Sequence, residues 1–217
     1  MLLAEDLLLL LMDDETGTPA QAGTLYYALG GAVLAELALL DRVTVDGGKV
    51  VASGSEPLPD PLLQGAWDRV ARKPRSASTL IIEIGTGLWK PLTERLISQG
   101  LIRREEKKVL GVFKSTRLPA ADATYEAELR ARIRAVLVDG ADPDPRTAAV
   151  TALLSASGAL PALRPQLAWS GEVYQRAKEL ESGNWGATAV NEAVVRTAAA
   201  LVASTTAIAV TVATTTN

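Results

Sequence analysis

The stretch LYYALGGAVLAELALL, residues 25–40, is apolar nearly all round, with Glu36 its single charged side chain. A helix that is apolar on every face belongs in a protein core or in a membrane. Its sixteen residues fall short of the roughly 20 that cross a bilayer. Leu25–Leu40 therefore predicts a buried core helix, and the Gly30-Gly31 pair lets another backbone approach it closely. The rest of the 217-residue chain is compatible with a domain built around that helix: 48% of residues are hydrophobic and 22% charged, an ordinary globular balance. No repeat or low-complexity linker divides it, so a single domain over 1–217 is expected. Aromatic residues make up only 4%, which leaves packing to leucine, valine and alanine, and alanine with leucine favours helix. The expected fold is mainly α: a central helical bundle, surrounding amphipathic helices and two short β-hairpins.

Working outward, Met1–Met12 reads as a first helix stopped by Asp13-Asp14-Glu15-Thr16-Gly17. It lacks the basic start and small-residue cleavage site of a signal peptide. Beyond the central helix, Arg42–Val45 and Lys49–Ala52 flank Asp46-Gly47-Gly48, a hairpin signal with glycines for the positive φ of the turn. Ser53–Pro61 is an exposed connection. Helices follow over 62–73, through Thr79–Ile84, and over Pro91–Gln99, where Gly100 closes the last of them. Leu101–Arg104 and Val109–Thr116 surround Glu105-Glu106-Lys107-Lys108, which reads as a second hairpin with a charged turn and an apolar arm. Thr124–Val138 is amphipathic through Leu129, Ile133, Val136 and Leu137. Asp142-Pro143-Asp144-Pro145 opens a helix over Arg146–Ser157, and Glu172–Leu180 and Trp185–Ala213 complete the set. The uncharged end, Thr197–Asn217, holds seven threonines, too polar a run for a membrane anchor. A buried terminal helix is expected there, although Ile208, Val210 and Val212 alternate as a strand would.

The chain contains neither histidine nor cysteine, which removes disulfides, thiolate or imidazole metal sites, cysteine nucleophiles and histidine bases. No phosphate loop or paired-carboxylate signature occurs, and Gly85-Thr86-Gly87 lacks the strand context of a dinucleotide site. No serine is fixed beside a base. The expectation is a protein that is not an enzyme and uses no metal or cofactor. Net charge is −3, with an uneven distribution: residues 69–117 hold twelve basic and four acidic side chains, and the remainder ten basic and twenty-one acidic.

Within that positive segment, residues 92–117 place a helix before a ribbon rich in arginine and lysine. A winged helix uses such a ribbon against nucleic-acid phosphates. A lipid-binding module uses the same cations for headgroups and inserts an apolar tip such as Val109-Leu110-Gly111-Val112-Phe113. The apolar residues also suit a plain core or subunit contact, and the ribbon alone leaves these readings open.

Taken together, LLAEDLLLLLMDDETG, ALGGAVLAELALLDRV with its DGGKV hairpin, LTERLISQGLIRREEKKVLGVFKSTRLP, PDPRTAAVTALLSASG and RAKELESGNWGATAVNEAVV resemble the Golgi phosphoprotein family in order and spacing, in its bacterial form. These are peripheral proteins that bind phosphatidylinositol 4-phosphate, and the eukaryotic members retain glycosyltransferases in the Golgi. The resemblance implies a single helical domain with a projecting hairpin for self-association and membrane contact. The family's headgroup aromatic falls at Gln21, and its three arginines fall at Gly30, Thr86 and Trp89. Three missing guanidiniums remove charge-assisted hydrogen bonds worth about 1.5–3 kcal/mol each, which argues against selectivity for that phosphoinositide.

The expected function is a non-enzymatic, cytoplasmic, reversibly membrane-associated protein binding anionic lipid or phosphoinositide headgroups, with an adaptor role and the lipid left open. Headgroup candidates are Trp89, Lys90, Arg95, Arg103, Arg104, Lys107 and Lys108. Val109, Leu110, Val112 and Phe113 are candidates for insertion or for a homo-oligomer through the 101–117 hairpin. The alternatives are an interaction scaffold without a lipid ligand and, below it, nucleic-acid binding; no client protein is specified by the residues.

Overall fold

The structure, a computed structural model, describes residues 1–109, 113–163, 167, 169–183, 194 and 196–205, of which 107–109, 113–115 and 162 are described by their backbone alone. Helix α1 (Leu3–Leu11) is nine residues long and buried along its whole length, Glu5 and Asp6 included. Helix α2 (Leu25–Leu39) is the buried core helix that its sequence predicts, and it is central in the structure, packed by α1 and by three helices defined below.

After α2 the chain forms β1 (Val43–Asp46) and β2 (Lys49–Ala52), an antiparallel hairpin pairing Asp46 with Lys49 across the two glycines. Helix α3 (Pro61–Arg72) starts where Asp60 accepts hydrogen bonds from the Leu62 and Leu63 amides, with Pro61 in the first turn. Pro74 prevents its continuation. Arg75–Ser76 then pairs with Val50 and Lys49 as β3, a third strand that the sequence reading does not contain. Two residues are too short to show any alternation.

Helix α4 (Ala77–Gly85) crosses α2 at backbone contact. A Cβ on Gly30 would lie 2.1 Å from the Ile81 carbonyl oxygen, and one on Gly85 would lie 1.8 Å from that of Tyr26. Gly31 faces the other way, where a Cβ would meet Thr205 Oγ1 at 2.3 Å in the helical segment 196–205. The glycine pair thus seats a different helix on each side of α2.

Helix α5 (Trp89–Ser98) leads into the second hairpin, β4 (Glu105–Val109) and β5 (Phe113–Arg117). Here the expected register is corrected. Glu105–Lys108 are strand residues, paired with Arg117, Thr116, Ser115 and Lys114, and not the turn. Leu101 and Ile102 are buried, 8% and 3% exposed, so the core takes the start of the expected first arm; Ile102 still makes an isolated antiparallel bridge to Ala120, and the continuous ladder begins at Glu105. Val109 faces Phe113 in register, and residues 110–112 lie outside the described residues.

Helices α6 (Thr124–Leu137), α7 (Pro145–Ala156) and α8 (Gly171–Glu181) complete the bundle, with α7 against both α1 and α2. Asp144 caps α7 through the Arg146 and Thr147 amides, in agreement with the Asp-Pro start signal. The alternation of Ile208, Val210 and Val212 falls outside the described residues; the chain is helical over 196–205. Mainly helical with two small antiparallel sheets, the fold is the one expected.

Candidate functional site

Leu92 and Leu96 of α5 are fully buried, which turns Lys90 and Glu94 to the outer face of that helix. Thr93, also buried, donates to the Trp89 and Lys90 carbonyls at 2.9 Å each and so holds the first turn together. The chain leaving β5 passes beside this turn, tied to the α1–α2 connection by Leu118 N donating to Thr16 O at 3.1 Å and Ala120 N to Asp14 O at 2.9 Å. Gly17 makes that approach feasible: its φ is +72° and a Cβ there would lie 2.4 Å from Leu118 O. Between the three segments runs an open groove of about 540 Å³ whose lining includes Thr16, Thr18, Trp89, Lys90, Glu94 and Arg104.

Of the predicted headgroup residues, Trp89, Lys90 and Arg104 meet in this groove. Lys90 is exposed and has no charged partner among the described residues. Arg104 donates to Glu94 Oε1 at 2.5 Å, both side chains being about half exposed. Arg103 lies outside the lining and donates to Glu105 Oε1 at 2.8 Å. Arg95 points the other way: Nε reaches Glu5 Oε1 at 2.7 Å and Nη2 reaches Asp60 Oδ2 at 2.8 Å. Glu5, fully buried, is the main cause holding the Arg95 guanidinium protonated, and Asp60 adds to it. Lys107, Lys108 and Val109 occupy β4 and Phe113 begins β5, while Leu110 and Val112 lie outside the described residues.

The four positions where the resemblance puts the family's headgroup residues hold no cation. Gln21 is exposed in the α1–α2 connection with φ +55°. Thr86 ends α4, its hydroxyl donating to Ile82 O at 2.7 Å, and Trp89 opens α5. Gly30 is enclosed against α4, where even a methyl group collides with backbone.

A second polar constellation has no counterpart in the sequence reading. Arg146 donates from Nε and Nη2 to Asp6 Oδ2 at 3.1 and 2.6 Å, from Nη1 to Glu36 Oε1 at 3.1 Å, and from Nη2 to Met1 O at 2.7 Å. Tyr125 donates to the other oxygen of Asp6 at 2.7 Å. Burial works against the charge on Arg146, and Glu36 and Asp6 outweigh it. This cluster closes the α1, α2 and α7 ends with its carboxylates satisfied, an arrangement for stability with no free base or nucleophile. The signal was present in three carboxylates, Glu5, Asp6 and Glu36, embedded in leucine-rich helices.

Among the described residues, no helix is long and apolar enough to cross a membrane, and no three acidic side chains come together as metal ligands. Fold and site define a mainly helical domain with an open surface groove at the start of α5, lined in part by Trp89, Lys90, Glu94 and Arg104. The chain belongs to the Golgi phosphoprotein 3 (GPP34) family, whose family model matches residues 3–197. No curated protein matches it.

Proposed function

We propose that this protein docks reversibly on anionic membrane as a non-enzymatic peripheral protein, with an adaptor role, and without selectivity for phosphatidylinositol 4-phosphate. The observation that carries the reading is the position of Lys90: exposed, without a charged partner among the described residues, on a groove shared with Arg104 and threonine hydroxyls. Such a site offers a phosphate one unshared cation plus neutral donors. It lacks the converging guanidiniums that phosphate-specific recognition uses. Membership of the Golgi phosphoprotein 3 family supports the membrane role. In this reading the apolar end of the 101–117 hairpin, Val109–Phe113, inserts between headgroups or pairs two copies of the chain.

Liposome co-sedimentation tests the proposal. Basic residues near an anionic surface contribute about 1 kcal/mol each, so Lys90→Glu, a change of two charges, is expected to weaken binding to vesicles containing phosphatidylserine by about tenfold or more. Unchanged binding removes Lys90 from the contact. Wild-type protein that ignores vesicles of every composition shows instead an interaction scaffold with no lipid ligand.

A further inference from the structure

The positive segment 69–117 separates in the structure into cations that are already paired and cations that are not. Arg75 is bound to Glu83, Arg95 to Glu5 and Asp60, Arg103 to Glu105 and Arg104 to Glu94. Arg69, Arg72 and Lys73 are all exposed and make no ion pair among the described residues. They stand together at the end of α3: Leu63, Ala66 and Val70 bury the opposite face of that helix, so Arg69 and Arg72, one turn apart, share the solvent side. Lys73 follows directly. The β2–β3 pairing brings Lys49, exposed and likewise unpaired, opposite Ser76, three residues beyond Lys73. Two acids lie near in the chain or the sheet: Asp68, which accepts from Gln64 at 2.7 Å, and Asp46, opposite Lys49 in register.

From this placement we infer a second membrane contact, in which Arg69, Arg72 and Lys73, with Lys49 beside them, dock on the headgroups of an anionic bilayer. The inference rests on the membrane reading above and adds to it the surface that supplies most of the attraction. A bilayer fits better than nucleic acid. The aromatic side chain of α3, Trp67, is turned inward: its Nε1 donates to Arg42 O at 3.1 Å, and the Arg42 guanidinium lies 5.1 Å from its ring centre. No aromatic platform is thus offered for stacked bases, whereas exposed cations without ion-pair partners at a helix end suit the diffuse charge of a lipid surface.

The test compares three full-length proteins, wild type, R69Q/R72Q/K73Q and K90Q/R104Q, by co-sedimentation with phosphatidylcholine vesicles and with vesicles containing 30% phosphatidylserine, at two salt concentrations. Melting temperatures establish that each variant is folded. The triple variant is expected to bind the anionic vesicles more than ~10-fold more weakly than wild type, with a flatter salt dependence, and to lose more than K90Q/R104Q does. A folded triple variant that binds as wild type does overturns the α3 contact and leaves the membrane reading standing. Wild type that fails to bind anionic vesicles overturns both. Wild type that binds duplex DNA more tightly than the vesicles, with R69Q/R72Q/K73Q losing that binding, gives the surface to nucleic acid and overturns the lipid assignment.

Discussion

Arg146 holds two carboxylates that would otherwise stand as uncompensated charges, Asp6 fully buried and Glu36 nearly so. Removing one partner of a buried ionic cluster typically costs about 3–5 kcal/mol. Arg146→Met is therefore expected to lower unfolding stability by that amount in urea titrations, and Arg146→Lys to recover only part of it, because an ammonium lacks the planar fork that reaches both acids. Glu126 presents the opposite case. Burial pushes its carboxyl up to about 7, Arg130 opposes this, and Asp14 adds to it. A folded-state value above that of the unfolded chain means that the folded protein binds the extra proton. The stabilisation from this group is then complete below about pH 4.5 and is lost as pH rises through 7. Glu126→Gln should flatten the stability profile over that window and surpass wild type at pH 8; parallel profiles would show that Glu126 does not titrate there. Gly30→Arg, which restores the arginine the family resemblance places there, is expected to unfold the protein rather than add a headgroup ligand, since its Cβ would stand 2.1 Å from Ile81 O. Circular dichroism melting decides between the two outcomes.

Helix ends and hairpin register show what can be read from the chain alone. The α7 start was legible because Asp-Pro at a helix entry has a local physical meaning, and the structure places Asp144 on the Arg146 and Thr147 amides at 2.9 and 3.0 Å. Asp144→Ala should cost about 1 kcal/mol in thermal denaturation, and more if the displaced first turn loosens Arg146. That Leu25–Leu39 is a buried core helix was legible from its apolar character on nearly every side, Glu36 apart, and the Gly30-Gly31 pair from the close approach that only glycine permits. The β4–β5 register was not. Leu101 and Ile102 are as consistent with a strand as with a core anchor, and only tertiary burial distinguishes the two. The partners of the buried acids were equally out of reach, because Arg95 lies 90 residues from Glu5 and Arg146 lies 140 from Asp6. Sequence spacing carries no signal over such separations.

At the scale of the molecule, the same long-range pairing decides which cations remain available. Counting charge along 69–117 registers the excess correctly, but it weights Arg95 and Lys90 equally, and the fold commits the first to buried and half-buried carboxylates while leaving the second exposed. Docking by unshared, solvent-facing cations is weak per contact, additive and insensitive to headgroup identity, and at physiological salt its reach is only ~8 Å. The measurement that tests this most directly is vesicle flotation at physiological ionic strength with three compositions: neutral phosphatidylcholine, phosphatidylserine-containing vesicles, and phosphatidylinositol 4-phosphate vesicles matched to them in surface charge. The account predicts equal binding to the two anionic preparations and none to the neutral one. A clear preference for the phosphoinositide at matched charge, or no binding to any vesicle, would contradict it.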